Sequence, residues 1–231
     1  MSTAVTSPGH ALVTGASSGI GAAIVTQLLA DGWRVTGVAR RPTEFGTKAY
    51  RGLAADLSTA TGRDDVLAQV GGVTAFVHAA GFLKTAMLGD LSAETGAEMW
   101  ALHVAAAEHL ANALAPAMPP GGRMVLIGSR TATGSASRSQ YAATKAALVA
   151  LARSWAIELA ARGITVNVVA PAATATAMLA DPARSAVAPR VPPIGRYIQP
   201  DEVANAVSFL LSPGAAAITG QTLVICGGSS L

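Results

Sequence analysis

One cysteine, Cys226, is all that the 231-residue chain holds, so no disulfide can form within it, and a disulfide-stapled secreted scaffold is excluded. Aromatic residues make up only 4% of the chain and charged residues 13%. The arginines and lysines are scattered, with Arg40-Arg41 as the one tight pair. No basic stripe alternates with aromatic rings, as a single-strand binder needs. The formal net charge of +3 therefore carries no nucleic-acid partner. Although 51% of the chain is hydrophobic, Gly, Pro, Arg and Asp interrupt every oily run before the roughly 18 apolar residues of a membrane span. The opening MSTAVTSPGHALVTG lacks the basic start and apolar core of an export signal. The expectation is a soluble cytoplasmic protein with no metal site.

What the chain does have is alternation. Short apolar runs, ALVTG (11–15), RVTGVA (34–39), LAAD (53–56), TAFVHAAG (74–81), RMVLIGS (123–129), TVNVVAP (165–171) and TLVICGG (222–228), read as seven strands. Longer helical stretches separate them. The first carries Ile20, Ile24, Leu28 and Leu29 on one face and stops at Asp31-Gly32, and a long one runs from about Ser92 to Ala115. Strands this apolar with helices between them imply a parallel sheet covered on both faces. The fold class is α/β, a doubly wound seven-stranded Rossmann fold in one domain, residues 1–231, with ligands at the carboxyl ends of the strands. Residues 172–200, rich in Pro, Ala and Arg without clear periodicity, read as a flexible substrate lid.

Two motifs carry chemistry. TGASSGIG (14–21) follows the first strand and opens the first helix, so Gly15, Ser17, Ser18, Gly19, Ile20 and Gly21 form a loop where backbone can approach a phosphate at a helix N-terminus. The second motif is YAATK. Tyr141 and Lys145 lie at i and i+4 of an apolar helix and project together. A lysine against apolar surface is unfavourable without a partner, and this one has a purpose beside a phenol. Free tyrosine has a pKa of about 10, and an ammonium one turn away favours the phenolate.

In order and spacing, TGASSGIG, Asp56-Leu57, HAAG (78–81), Ser129, YAATK, PAATAT (171–176) and ITGQTLVICGG (218–228) resemble the short-chain dehydrogenase/reductase family along nearly the whole chain. The resemblance implies that Asp56 and Leu57 line an adenine pocket, with Ala79, Ala80 and Gly81 against the adenosine. By the residues alone, Asp56 would cap a helix beginning near Ser58 or Thr59. The resemblance places Pro171, Thr174 and Thr176 at the nicotinamide end and gives Lys145 the nicotinamide ribose. It makes Ser129 the group that holds a substrate carbonyl while Tyr141 protonates its oxygen. Where NAD-using relatives have an acidic residue, this chain has Ala39 followed by Arg40 and Arg41. That substitution removes repulsion and offers a guanidinium to a 2′-phosphate, so the expected coenzyme is NADPH/NADP+ rather than NADH. His78-Ala79 replaces the family's usual Asn pair, and His103 stands where relatives place an active-site Asn. That Asn helps hold a water linking the lysine to solvent; His103 either holds the water or relays protons itself, or is a packed helix histidine with no role.

The expected activity is reversible, NADPH-dependent reduction of a ketone or aldehyde to an alcohol. The alternatives are an NAD-dependent alcohol dehydrogenase of the same family and a catalytically silent NADP(H)-binding sensor. Phe82, Leu83, Met87, Met178 and Leu179 are expected to line an apolar substrate pocket, with Arg130 or Arg138 as candidate anchors. By resemblance the partner is a further copy of the chain, as a dimer or tetramer, with Trp100, Leu110, Leu148 and Trp155 compatible with pairing.

Overall fold

Runs of Val, Leu, Ile and Ala too short for helices pair as β1 (His10–Thr14), β2 (Arg34–Ala39), β3 (Tyr50–Ala54), β4 (Ala75–His78), β5 (Arg123–Ile127), β6 (Thr165–Pro171) and β7 (Thr222–Ile225). A computed structural model describes residues 9–179 and 190–231. The sheet is parallel throughout, in the order β3-β2-β1-β4-β5-β6-β7. The strand order reverses between β1 and β4, and their carboxyl ends there open a crevice. Five of the seven expected strands have different bounds, and only the second and sixth match. The third begins at Tyr50, which registers with Val35 and sets its ring over β2, where a Cβ on Gly37 would lie 2.5 Å from the phenol oxygen. The seventh ends at Ile225, before Gly227 and Gly228 turn the chain through positive φ.

Side chains alternate across the sheet and feed two cores. Leu12, Phe76, Met124 and Leu126 pack on one face against Leu110, Leu114, Leu148 and Ala152, from α4 (Ala106–Leu114) and α5 (Ser139–Leu159). Val13, Val77, Val125 and Ile127 pack on the other against Ile24, Leu28, Val203 and Val207, from α1 (Gly19–Ala30) and α6 (Pro200–Leu211). In α1 the expected stripe is buried at Ile24 and Leu28, and Ile20 and Leu29 pack at its margin.

The expected long helix is three segments: α3 (Ala93–Trp100), a π-helical turn (Ala101–Ala105) and then α4. Ser92 caps its start, its hydroxyl accepting from the Thr95 N–H at 3.1 Å. A π turn inside an α-helix commonly marks a functional site, and this one carries Leu102 and His103. Leu110 and Leu148 are fully buried in the chain's own core, which removes them from a surface for pairing; Trp100 is about half exposed. Part of the expected lid, residues 180–189, lies outside the described residues. Its limbs are tied together: Thr174 bridges to Ile198, and the Ala175 N–H donates to the Ile198 carbonyl at 2.8 Å. Among the described residues no helix is long and apolar enough to cross a membrane, and no cluster of side chains could hold a metal ion.

Phe76, at 0% exposure among the largest buried side chains, joins β4 to α4 and α5. Phe76→Ala is expected to cost about 3–5 kcal/mol, read as a lowered urea midpoint; an unchanged midpoint would place the core elsewhere.

Candidate active site

The loop between β1 and α1 begins at Gly15, whose φ of +68° favours glycine. A Cβ there would lie 2.8 Å from the Ala80 backbone, and one on Gly21 would lie 2.0 Å from the Gly15 carbonyl oxygen. The glycines thus bring the helix start against the strand and the strand against Ala79-Ala80. Ser18 precedes the helix in extended conformation and its hydroxyl does not cap the first turn, which holds no acidic residue. The orphan N–H groups of that turn and the helix dipole are left to an anion.

Beyond that turn the rim of the crevice becomes cationic. Arg40 and Arg41 follow β2 and are exposed, and the Thr43 hydroxyl donates to the Ser17 carbonyl at 3.2 Å, seating the β2–β3 connection on the glycine loop. Asp56 lies across the crevice. The helix after it, α2 (Ala60–Leu67), is capped by Thr59, whose hydroxyl accepts from the Gly62 N–H at 3.0 Å. The capping role expected for Asp56 therefore belongs to Thr59. Asp56 instead turns back on Ser58, accepting from its N–H at 3.0 Å and its hydroxyl at 2.7 Å. Those bonds, with a smaller contribution from Arg40, hold its carboxyl below the usual carboxylate range. A 2′-phosphorylated dinucleotide fits this donor set: backbone N–H groups for the diphosphate, two guanidinium groups for the extra phosphate and a carboxylate for an amino group.

The wall between β1 and β4 is knotted by a hydroxyl. Thr14 Oγ1 accepts from the Ala79 and Ala80 N–H groups, each at 3.1 Å, and lies 3.0 Å from His78 Nδ1. Its single proton goes to Nδ1, so His78 carries its own proton on Nε2 and donates it to the Leu102 carbonyl of the π turn at 3.2 Å. His78 is fully buried, and burial first, then the Lys145 charge, pushes its pKa down to about 3. The imidazole is a neutral crosslink between the sheet and the π turn. Thr14 was not singled out by the sequence; a hydroxyl among apolar residues at a strand's carboxyl end was its only signal.

The second motif converges on the end of β5. Tyr141 and Lys145 leave the first turns of α5 on one face, with the Lys145 Nζ 5.7 Å from the Tyr141 ring centroid. Lys145 is buried and donates to the Ile127 carbonyl at 2.9 Å. Burial lowers its pKa to about 8, so the group remains an ammonium at pH 7 with two further donors. Ser129 lies just past β5; its Oγ accepts from the Thr131 N–H at 3.2 Å and sits 2.9 Å from the Thr131 hydroxyl. Its own proton can turn to a ligand. Thr131, not expected from the sequence, is the neighbouring hydroxyl. A 3₁₀ turn (Arg130–Thr133), Gly134 at φ +107° and Ser137 at φ +60° absorb the chain between Ser129 and α5.

The two motifs open on one cleft of about 1760 Å³, larger than the 300–1,000 Å³ of an ordinary small-ligand pocket. Gly15 to Gly21, Arg40, Arg41, Asp56, Leu57, Ala79 to Gly81, Ser129, Tyr141, Lys145, Pro171, Thr174 and Thr176 line it, except Ala16. Phe82, Leu83, Met178 and Leu179 are on its wall with Arg130 and Arg138; Met87 is not, and its sulfur takes the Ser137 hydroxyl instead. His103 is buried behind the wall, edge-on to Tyr141 with ring centroids 5.6 Å apart.

A glycine loop at the switch point of a doubly wound sheet, opposite a Tyr–Lys pair, defines a dinucleotide-dependent oxidoreductase site. The comparisons with known proteins agree. Residues 15–230 match a family described as Enoyl-(Acyl carrier protein) reductase. The chain is 38% identical to the 3-oxoacyl-[acyl-carrier-protein] reductase FabG of Escherichia coli (strain K12), over 94% of this chain and 96% of the relative. It is 35% identical to the FabG of Haemophilus influenzae, with the same coverage. Among solved structures, a short chain dehydrogenase from Burkholderia cenocepacia J2315 in complex with NADP superposes at a TM-score of 0.82 with 32% identity, over 96% of this chain and 97% of that one. A blue fluorescent protein from a metagenomic library in complex with NADPH superposes at 0.83 with 29% identity, over 96% and 98%. The chain belongs to the short-chain dehydrogenase/reductase family and is an oxidoreductase.

The buried histidines set a pH dependence. Between the ordinary value of 6.5 and about 3, the unfolded chain binds a proton on His78 that the folded chain refuses; His103, held near 2, behaves alike. Stability is therefore full above pH 6.5 and falls as pH drops, by up to about 1.4 kcal/mol per pH unit for each histidine. Urea midpoints between pH 7 and 5 should fall accordingly, and less steeply in His78→Gln. Equal slopes in the two proteins would rule this account out.

Proposed function

We propose that this protein reduces a ketone or aldehyde to an alcohol with NADPH, and that Tyr141, Lys145 and Ser129 carry the reaction. The observation that bears most weight is the buried Lys145 ammonium, fixed on the Ile127 carbonyl beside the Tyr141 ring and on the wall of the same cleft as the glycine loop. Bound NADPH supplies the hydride. Ser129 offers its hydroxyl proton to the substrate carbonyl and holds that oxygen toward Tyr141. Tyr141 donates the proton as general acid, and the adjacent ammonium stabilises the phenolate left behind. Gly15, Ser17, Ser18, Gly19, Ile20 and Gly21 hold the diphosphate, Arg40 and Arg41 the 2′-phosphate, and Asp56 and Leu57 the adenine. Ala79, Ala80 and Gly81 pack on the adenosine, and Pro171, Thr174 and Thr176 on the nicotinamide. A 3-oxoacyl thioester is the substrate class that the FabG relatives favour. The apolar wall of Phe82, Leu83, Met178 and Leu179 suits an acyl chain. The enzyme would work in the cytoplasm as a dimer or tetramer.

Tyr141→Phe should lower kcat by about 10²–10⁴-fold with NADPH affinity little changed, followed by coenzyme oxidation against a panel of 3-oxoacyl thioesters and simple ketones. Turnover near the parent value would remove Tyr141 from the chemistry. NADPH binding without oxidation of any carbonyl by the parent protein would instead support a silent sensor. Arg40→Asp should reverse the coenzyme preference, since a net of about 1.4 kcal/mol at the 2′-phosphate is tenfold in affinity. Higher kcat/KM with NADH in the parent would favour the NAD-dependent alcohol dehydrogenase.

A further inference from the structure

We infer that His103 is a positioning residue: a neutral imidazole that clamps the Gly81-Phe82 turn of the cleft wall to the catalytic helix, without relaying a proton. The inference rests on the proposed reductase reading of the site. Both ring nitrogens have protein partners. Nε2 lies 3.0 Å from the Phe82 N–H, which can only donate, so Nε2 accepts. Nδ1 lies 2.8 Å from Thr144 Oγ1, and the one proton of that hydroxyl goes to the Tyr141 carbonyl at 2.8 Å. Nδ1 must therefore carry the imidazole proton and donate it. The tautomer is set from both sides, and neither nitrogen is left for water.

The ring also works by its faces and edges. It stands edge-on between Phe82, at 5.8 Å, and Tyr141, at 5.6 Å, an arrangement favoured for π systems. A Cβ on Gly81 would lie 2.9 Å from Nε2 and 3.6 Å from the Lys145 Nζ. Turn, imidazole and lysine are thus packed with no room for a side chain between them. The groups facing the ring are Phe82 and Gly81 from the wall, Tyr141, Thr144 and Lys145 from α5, and His78 from β4. Burial first, then the Lys145 charge and then His78, keeps the imidazole uncharged. Nε2 faces an amide N–H that neither gives up nor takes a proton, so the imidazole passes none across. Its pull falls on Phe82, and so on the wall against which a substrate lies.

The two amide side chains separate these contacts. His103→Gln can place a carbonyl oxygen near the Nε2 position and keep the Phe82 bond. His103→Asn ends near Nδ1 and leaves the partly buried Phe82 N–H without its acceptor, a loss worth about tenfold. With the carbonyl substrate that the parent reduces, kcat/KM should fall about tenfold in His103→Asn, mostly through KM. In His103→Gln it should stay within about threefold of the parent. The pH profile of kcat should superpose in all three proteins, and the Phe82 amide should lose protection from hydrogen exchange only in His103→Asn. A kcat loss in both variants with a displaced pH profile would make His103 a proton relay and overturn the inference, as would full activity and full Phe82 protection in His103→Asn. Nitrogen NMR of the parent bears on the clamp whether or not a carbonyl is turned over: a protonated Nδ1 with a bare Nε2 is expected, and the opposite tautomer overturns it. Failure of the reductase reading is thereby separable from failure of the clamp.

Discussion

A lysine ammonium sealed beneath the surface and tied to one strand-end carbonyl is the contact around which the site is arranged. Lys145 has to reach the Ile127 oxygen, which requires the start of α5 to come up to the end of β5 while the helix packs along β6. Small residues allow that approach: Ala142, Ala152 and Ala156 are buried on the same helix. Moving a charge into such surroundings is unfavourable unless it is bonded, and burial already brings its pKa down to about 8. The ammonium that survives sits one helical turn below a phenol, where its field acts in a medium drier than water. Packing of an alanine-rich helix and chemistry at Tyr141 are therefore one arrangement.

The charge of Lys145 also shapes its surroundings. Two histidines, His78 and His103, lie close enough for it to add to the effect of burial in keeping them neutral. Neutral imidazole has one donor and one acceptor, and both rings use them as crosslinks. His78 joins Thr14 on β1 to Leu102 in the π turn, while the ring behind Tyr141 joins the cleft wall to α5. The cleft wall from Ala79 to Phe82 is held at three of its four residues: Ala79 and Ala80 by Thr14, and Phe82 by the second imidazole. A rigid wall of this kind keeps its cavity largely formed before a ligand arrives.

Opposite that wall the crevice is bounded by the N-terminal turn of α1 and the exposed Arg40 and Arg41 guanidinium groups, a rim that suits an anion. The two halves meet at the reversal of strand order, where neighbouring loops diverge and leave space. Fold and charge thus make that side of the crevice the one suited to an anionic ligand.

Local pattern in the sequence determined the strand-forming runs, the glycine loop and the Tyr141–Lys145 pair, because each depends on residues within a few positions of one another, and the alternation of those runs with helices implied the parallel sheet. Strand-sized apolar runs cannot stand alone in water, and i to i+4 spacing fixes a shared helical face. Tertiary structure alone decided that Leu110 and Leu148 belong to the chain's own core and that Thr14 ties β1 to the turn after His78. Those outcomes turn on partners as far as 64 to 66 positions away. The tautomers of the buried histidines belong to the same class. Sequence names the imidazole, but only the neighbours it meets in the folded chain dictate which nitrogen holds the proton.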